Sequence, residues 1–185
     1  MNIYDEYPSS VEVDGKSYSL NLAFDRVLRV IDIGEREDLT RADKLAAQCA
    51  WLLDASEALP PDAKTQSAII SAAFDLFPKS ENPTGERYID FNQDAAMIRS
   101  AFFRLGIDLQ RDHIHIFRFL ELLADLPSDT ALMRTVEIRQ KPLPKPNKHN
   151  AEQIAALRKA KDRCAIKYSE EERRDRFMQS LKNSK

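Results

Sequence analysis

Prolines and glycines cut this chain into short pieces. Pro60-Pro61, Pro78, Pro127 and the three prolines of KPLPKP (141–146) each forbid a continuing helix. Gly34 and Gly106 stand where further stripes run out. Between these breaks, apolar residues recur three and four positions apart, which is the helical period. The spacing predicts a first helix with Phe24, Val27, Leu28 and Ile31 inward, capped by Asn21 and stopped at Gly34. A second starts at Thr40, with Asp43 in its first turn, and carries Leu45, Cys49, Leu52 and Leu53. A third has Pro61 in its first turn and Ile69, Ile70, Ala73, Phe74 and Phe77 on one face. The fourth is expected over about 92–105, the fifth over about 112–126, and the sixth after Pro127-Ser128 with Leu132, Met133 and Val136.

The N-terminal stretch differs. In VEVDGKSYSL, Asp14-Gly15 separates two alternating segments, and Asp-Gly supplies the positive φ angles of a type I′ turn. Val11, Val13, Tyr18 and Leu20 then share one face. A lone hairpin is marginal in water, so it must lie on helices. The expected fold class is mostly α: a compact helical domain with a short N-terminal β-hairpin and a basic C-terminal helical tail.

Charge divides the chain. Residues 1–138 carry a balance of -10 and residues 139–185 a balance of +8. We therefore expect an acidic helical body over 1–140, a proline-rich linker over 141–149 and a basic helical tail over 150–185. PLPKP resembles a ligand for a proline-recognition domain, but a stiff linker is the commoner use of such a run. Asn150 with Gln153 has the form of a capping box, as does Ser169 with Glu172. Ile154, Leu157, Cys164 and Tyr168 give the tail a thin apolar stripe, which makes them its candidate partner-binding residues. Phe177, Met178 and Leu181 are the last apolar positions.

Catalytic motifs are missing. RDHIHIFRFLELL (111–123) contains His-x-His, but in a helix two residues apart stand about 200° apart and cannot grip one metal. On a wheel, Arg118, Glu121 and Asp125 form a narrow polar stripe with one histidine on each border. Asp90 and Asp94, four apart, read as acidic residues at a helix start. Cys49 and Cys164 fit no metal spacing and suit packing in a reducing compartment. No apolar run approaches the roughly 18 residues that span a bilayer. MNIYDEYPSS is acidic and lacks the order of a signal peptide. The expectation is a binding protein without enzymatic activity, cofactor, metal or membrane span.

Two stretches carry a resemblance. DAAMIRSAFFRLGIDL (94–109) and HIFRFLELLADLPSDTALMRTVEIRQKPLP (115–144) are similar to a family of phage and prophage tail assembly chaperones. These are encoded between the major tail protein and the tape measure protein of long-tailed phages. The likeness spans about residues 8–167. It runs through Asp94, Ile98, Ala101 and Phe102, then Gly106 to Leu109, then His115, Phe117 and Phe119, then Leu122, Leu123 and Leu126, and closes on Ile138, Arg139, Pro142 and Leu143. Two tryptophans often follow the histidine in that family; Ile116 and Phe117 stand there in this chain. The resemblance implies a helical, non-enzymatic protein of the host bacterial cytoplasm. Its partners would be the tape measure protein, the major tail protein and further copies of itself. A second reading, from the basic tail alone, is a small phage nucleic-acid-binding or regulatory protein.

Overall fold

A computed structural model describes residues 5–78 and 87–168. In chain order the elements are β1 (Ser10–Val13), β2 (Lys16–Ser19), α1 (Phe24–Glu35), α2 (Arg41–Leu52), α3 (Ala63–Asp75), α4 (Ala95–Arg104), α5 (Ile116–Ala124), α6 (Ala131–Gln140) and α7 (Ala151–Cys164). The molecule is mostly α-helical with a short N-terminal antiparallel hairpin, as the breaks and periods imply. Of the described residues, 5–78 with 106–125 form one compact unit, and 87–105 with 126–168 form another. The second capping box expected at Ser169, and Phe177, Met178 and Leu181, lie outside the described residues.

The first unit grows from the hairpin. Asp14 (φ 50°) and Gly15 (φ 75°) make the expected turn, and Val11 pairs with Tyr18 across the strands. Val11, Val13, Tyr18 and Leu20 are all buried, and β1 packs on α3. The chain after β2 is then stitched to two other backbones. Asn21 N–H donates to the Leu52 carbonyl (2.8 Å) and Asp54 N–H to that of Ser19 (3.0 Å), at the end of α2. Phe24 N–H donates to Ile114 (2.9 Å) and Ile116 N–H to Leu22 (2.8 Å), at the start of α5. These bonds satisfy an extended stretch that would otherwise expose an open edge.

Several local expectations need correction. Asn21 does not cap α1; its Oδ1 accepts the Ala23 N–H (3.2 Å) and shapes the turn before it. The buried face of α1 is Phe24, Val27, Val30 and Ile33, while Ile31 is exposed. Gly34 does not stop the helix but lies inside it. A Cβ there would sit 2.9 Å from Gln48 Nε2, which donates to the Val30 carbonyl (2.9 Å). Gly34 therefore leaves room for the Gln48 amide that ties α2 to α1. Pro61 precedes α3, whose cap is Asp62 accepting from Thr65 N–H (2.8 Å). Thr40 and Thr130 cap α2 and α6, accepting from Asp43 and Met133 N–H. Gly106, at φ 79°, ends α4 as expected.

Packing in the first unit is aromatic. Phe24 of α1 stacks on Phe119 of α5 with ring centroids 4.8 Å apart, and Phe119 is 1% exposed. Arg26 from α1 reaches the C-terminus of α2, where its guanidinium donates to the carbonyls of Trp51 (2.8 Å), Ala50 and Leu53 (both 3.4 Å). α2 has no basic residue in its own last turn, so a neighbouring helix supplies the cation that its orphan carbonyls attract. Phe119→Ala should remove a buried ring and cost about 3–5 kcal/mol, measured by urea unfolding; a midpoint within error of wild type would show that the stack contributes nothing.

Candidate protein-binding surfaces

The two histidines of the His-x-His stretch are not on a helix. α5 begins at Ile116, four residues later than its apolar run suggests, and His115 forms an antiparallel bridge with Ala23, flanked by the Phe24–Ile114 and Ile116–Leu22 backbone bonds. His115 is the cap. Its Nδ1 accepts the Phe117 N–H (3.2 Å), so the ring proton sits on Nε2 and donates to the Pro8 carbonyl (3.1 Å). Tyr7 stacks on this ring at 4.8 Å and donates its hydroxyl to Glu121 (2.6 Å). His113 instead faces Asp25, with Nδ1 3.4 Å from Oδ2. Each ring thus has its own partners. Among the described residues no group of three or more His, Cys, Asp or Glu is placed to hold a metal ion.

Burial lowers the His115 pKa below its ordinary 6.5, against smaller upward pulls from the Pro8 carbonyl and the Glu121 charge. The neutral ring is the one that caps α5, because a proton on Nδ1 would face the Phe117 N–H. As pH falls below about 6.5 the unfolded chain takes up this proton first, so the stabilisation is lost between that value and the folded pKa. Wild type should therefore lose more stability than His115→Gln between pH 7 and pH 5 in parallel urea titrations. Identical slopes would show that His115 does not titrate on unfolding.

Of Asp90 and Asp94, only Asp94 departs from the expected helix-start chemistry. α4 starts at Ala95, and Asp94 makes no capping bond. Asp90 shapes the preceding turn, its Oδ1 accepting the N–H groups of Asn92 (3.0 Å) and Gln93 (2.7 Å). Asp94 is 1% exposed and binds Arg139 of α6 in a two-pronged pair, Nη1 to Oδ2 at 2.6 Å and Nη2 to Oδ1 at 2.9 Å. Burial pushes the Asp94 pKa up, but the Arg139 hydrogen bonds, the Asp90 N–H and the Arg139 charge outweigh it and hold the carboxyl below its ordinary range. Arg139 also donates to the carbonyls of Tyr88 (2.7 Å) and Cys164 (2.6 Å). Sequence reading placed both residues in one family pattern without pairing them. The available signal was an acid and an arginine among apolar neighbours in helices that flank the same unit.

Of the tail residues singled out from the sequence, Cys164 is bonded to this pair. Ile154 is buried, Leu157 and Cys164 are half-buried, and Tyr168 lies under the Arg87 guanidinium at 5.2 Å. Lys161 donates to the Arg139 carbonyl (2.6 Å), and Gln93 and Lys167 exchange two hydrogen bonds. Asn150 does not close a capping box; its side chain accepts from Asn147 N–H (2.8 Å) and donates to the Lys145 carbonyl (2.9 Å), folding the end of the proline segment onto α7. The four stripe residues thus border contacts inside their own unit. Arg139→Met would strand a buried carboxylate, at a cost of about 3–5 kcal/mol. Changing Asp94 to Leu as well should recover part of that loss, and equal instability of both variants by thermal melting would mean the carboxylate is not the problem.

The feature that sequence reading missed is a groove on the first unit. It lies between α2 and α3 and encloses about 650 Å³. Ala42 and Leu45 line it from α2, and Ala63, Ser67, Ala68 and Ser71 from α3, with the basic side chains of Arg41 and Lys64 also on its wall. Its trace in the sequence is a run of small residues, four apart, beside the apolar face of α3. Cys49, further along α2, is buried and its thiol pKa is pushed up to about 11 by desolvation, so it packs as an uncharged side chain.

Among the described residues no helix is long and apolar enough to cross a membrane. The chain matches a family model described as Bacteriophage Gp15 protein over residues 3–166. No curated protein and no solved structure gives a match.

Proposed function

The chain belongs to the bacteriophage Gp15 protein family, and from that premise we propose that it is a tail assembly chaperone that binds the tape measure protein during tail morphogenesis. The observation that carries this reading is the family match over residues 3–166, taken with the ordered likeness from Asp94 to Leu143 to proteins encoded beside the tape measure. The open groove between α2 and α3 suits the role, because a helical client is bound by laying its apolar face into such a surface. The protein acts by binding rather than by catalysis, in the host cytoplasm, and its partners include the major tail protein and further copies of itself. Weak contacts suffice, since many copies along one long client add up by avidity.

Co-expression tests the proposal directly. The tape measure protein encoded beside this chain should become soluble and co-purify with it, and should aggregate when the chain is omitted. If the client is equally soluble alone, and the chain instead retains DNA with a steep loss between about 50 and 200 mM salt, the nucleic-acid reading of the basic tail takes its place.

A further inference from the structure

We propose that the groove between α2 and α3 receives an α-helix whose apolar ridge is flanked by carboxylates. The inference rests on the chaperone reading and names the kind of client segment that the groove selects. Shape comes first. The walls are built from alanine, serine and one leucine, so a ligand backbone can approach closely without displacing bulky side chains. The α3 wall runs from Ala63 to Ser71, which at 1.5 Å per residue is roughly 12 Å, or two helical turns. That length matches anchors at i, i+3 or i+4, and i+7 of a docked helix.

Charge selects among such helices. The described residues of this unit carry nine Lys and Arg against eighteen Asp and Glu, so its surface is broadly acidic. Yet the groove presents two cations, Arg41 and Lys64, both exposed. Neither makes an ion pair or hydrogen bond to a side chain among the described residues, whereas Arg36 is paired with Asp38 and Lys44 donates to the Gly34 carbonyl. The nearest carboxylates in the chain are committed to their own caps. Asp43 accepts from the Thr40 hydroxyl (2.7 Å) and Asp62 from the Thr65 N–H (2.8 Å). Their helices do not call for these cations either, since the first turn of a helix favours acidic residues. A lysine-flanked helix would meet two like charges at the groove, while a carboxylate-flanked one would find two uncommitted partners.

The experiment uses the full chain, overlapping 30-residue synthetic peptides that tile the tape measure protein, and the intact tape measure protein. Two variants are compared with wild type: Ala68→Trp, which fills the groove, and Arg41→Glu with Lys64→Glu, which reverses its charge. All are checked for native circular dichroism. The expected result is that binding peptides carry Asp or Glu beside an apolar stripe. The charge reversal should weaken them about tenfold, Glu-to-Lys peptides should recover on the reversed protein, and Ala68→Trp should abolish binding. If wild type and both variants co-purify the tape measure equally, the groove assignment is overturned while the chaperone reading stands. If the binding peptides are lysine-flanked and tighten on the reversed protein, the charge assignment is overturned. If wild type binds no tape measure segment, the chaperone reading fails and takes this inference with it.

Discussion

A guanidinium offers five N–H groups in a rigid fork, and Arg139 uses four of them. Two go to Asp94, one to Tyr88 and one to Cys164. The second unit needs such a centre because α7 is poor in apolar surface: Ile154 is its one buried residue among those described. Hydrophobic burial of a single side chain does not hold a 14-residue helix. Polar contacts at its C-terminal end do the remaining work, through Cys164 and Lys161 to Arg139 and through the Gln93–Lys167 exchange. Removing a buried pair's partner leaves an uncompensated charge, so this centre is held as a unit or lost as one.

The first unit meets a different constraint. A two-stranded hairpin cannot stand alone, and among the described residues its continuation has no third strand to pair with. The chain answers by borrowing backbone from helix ends. Residues 19–21 bond to the end of α2, and residues 22–24 bond to the segment that leads into α5. That second pairing explains the late start of α5. Ile114 and His115 must run alongside residues 22–24 for these bonds to form, so the helix waits until His115 turns its ring to cap it. The open groove between α2 and α3 lies on the same unit, on a surface that these internal bonds leave unused.

Much of this was legible in advance. The Asp14-Gly15 turn, the Thr40 start and the Gly106 stop follow from local chemistry that needs no tertiary context, and each stands where expected. The errors share one cause. Asn21, Asp94 and Asn150 were all read as belonging to their own helix, and each spends its side chain on something else. A short polar side chain near a helix start has a local option and a distant one, and periodicity is blind to the distant one. Gly34 misled for the same reason, since a glycine that ends a helix and a glycine that admits a neighbour look alike in one dimension.

By itself the sequence determined the class: short capped helices, one hairpin, no catalytic motif, and an order of residues that belongs to a bacteriophage family. These are consequences of bonds between residues a few positions apart, or of pattern along the chain. Only the tertiary structure decided that Asp94 meets Arg139 across 45 positions, that the two histidines serve separate partners, and that small residues of α2 and α3 leave a groove between them. The physical reason is that the free energy of such contacts depends on burial and on what lies opposite in space. Neither quantity is written in the spacing of residues along a helix.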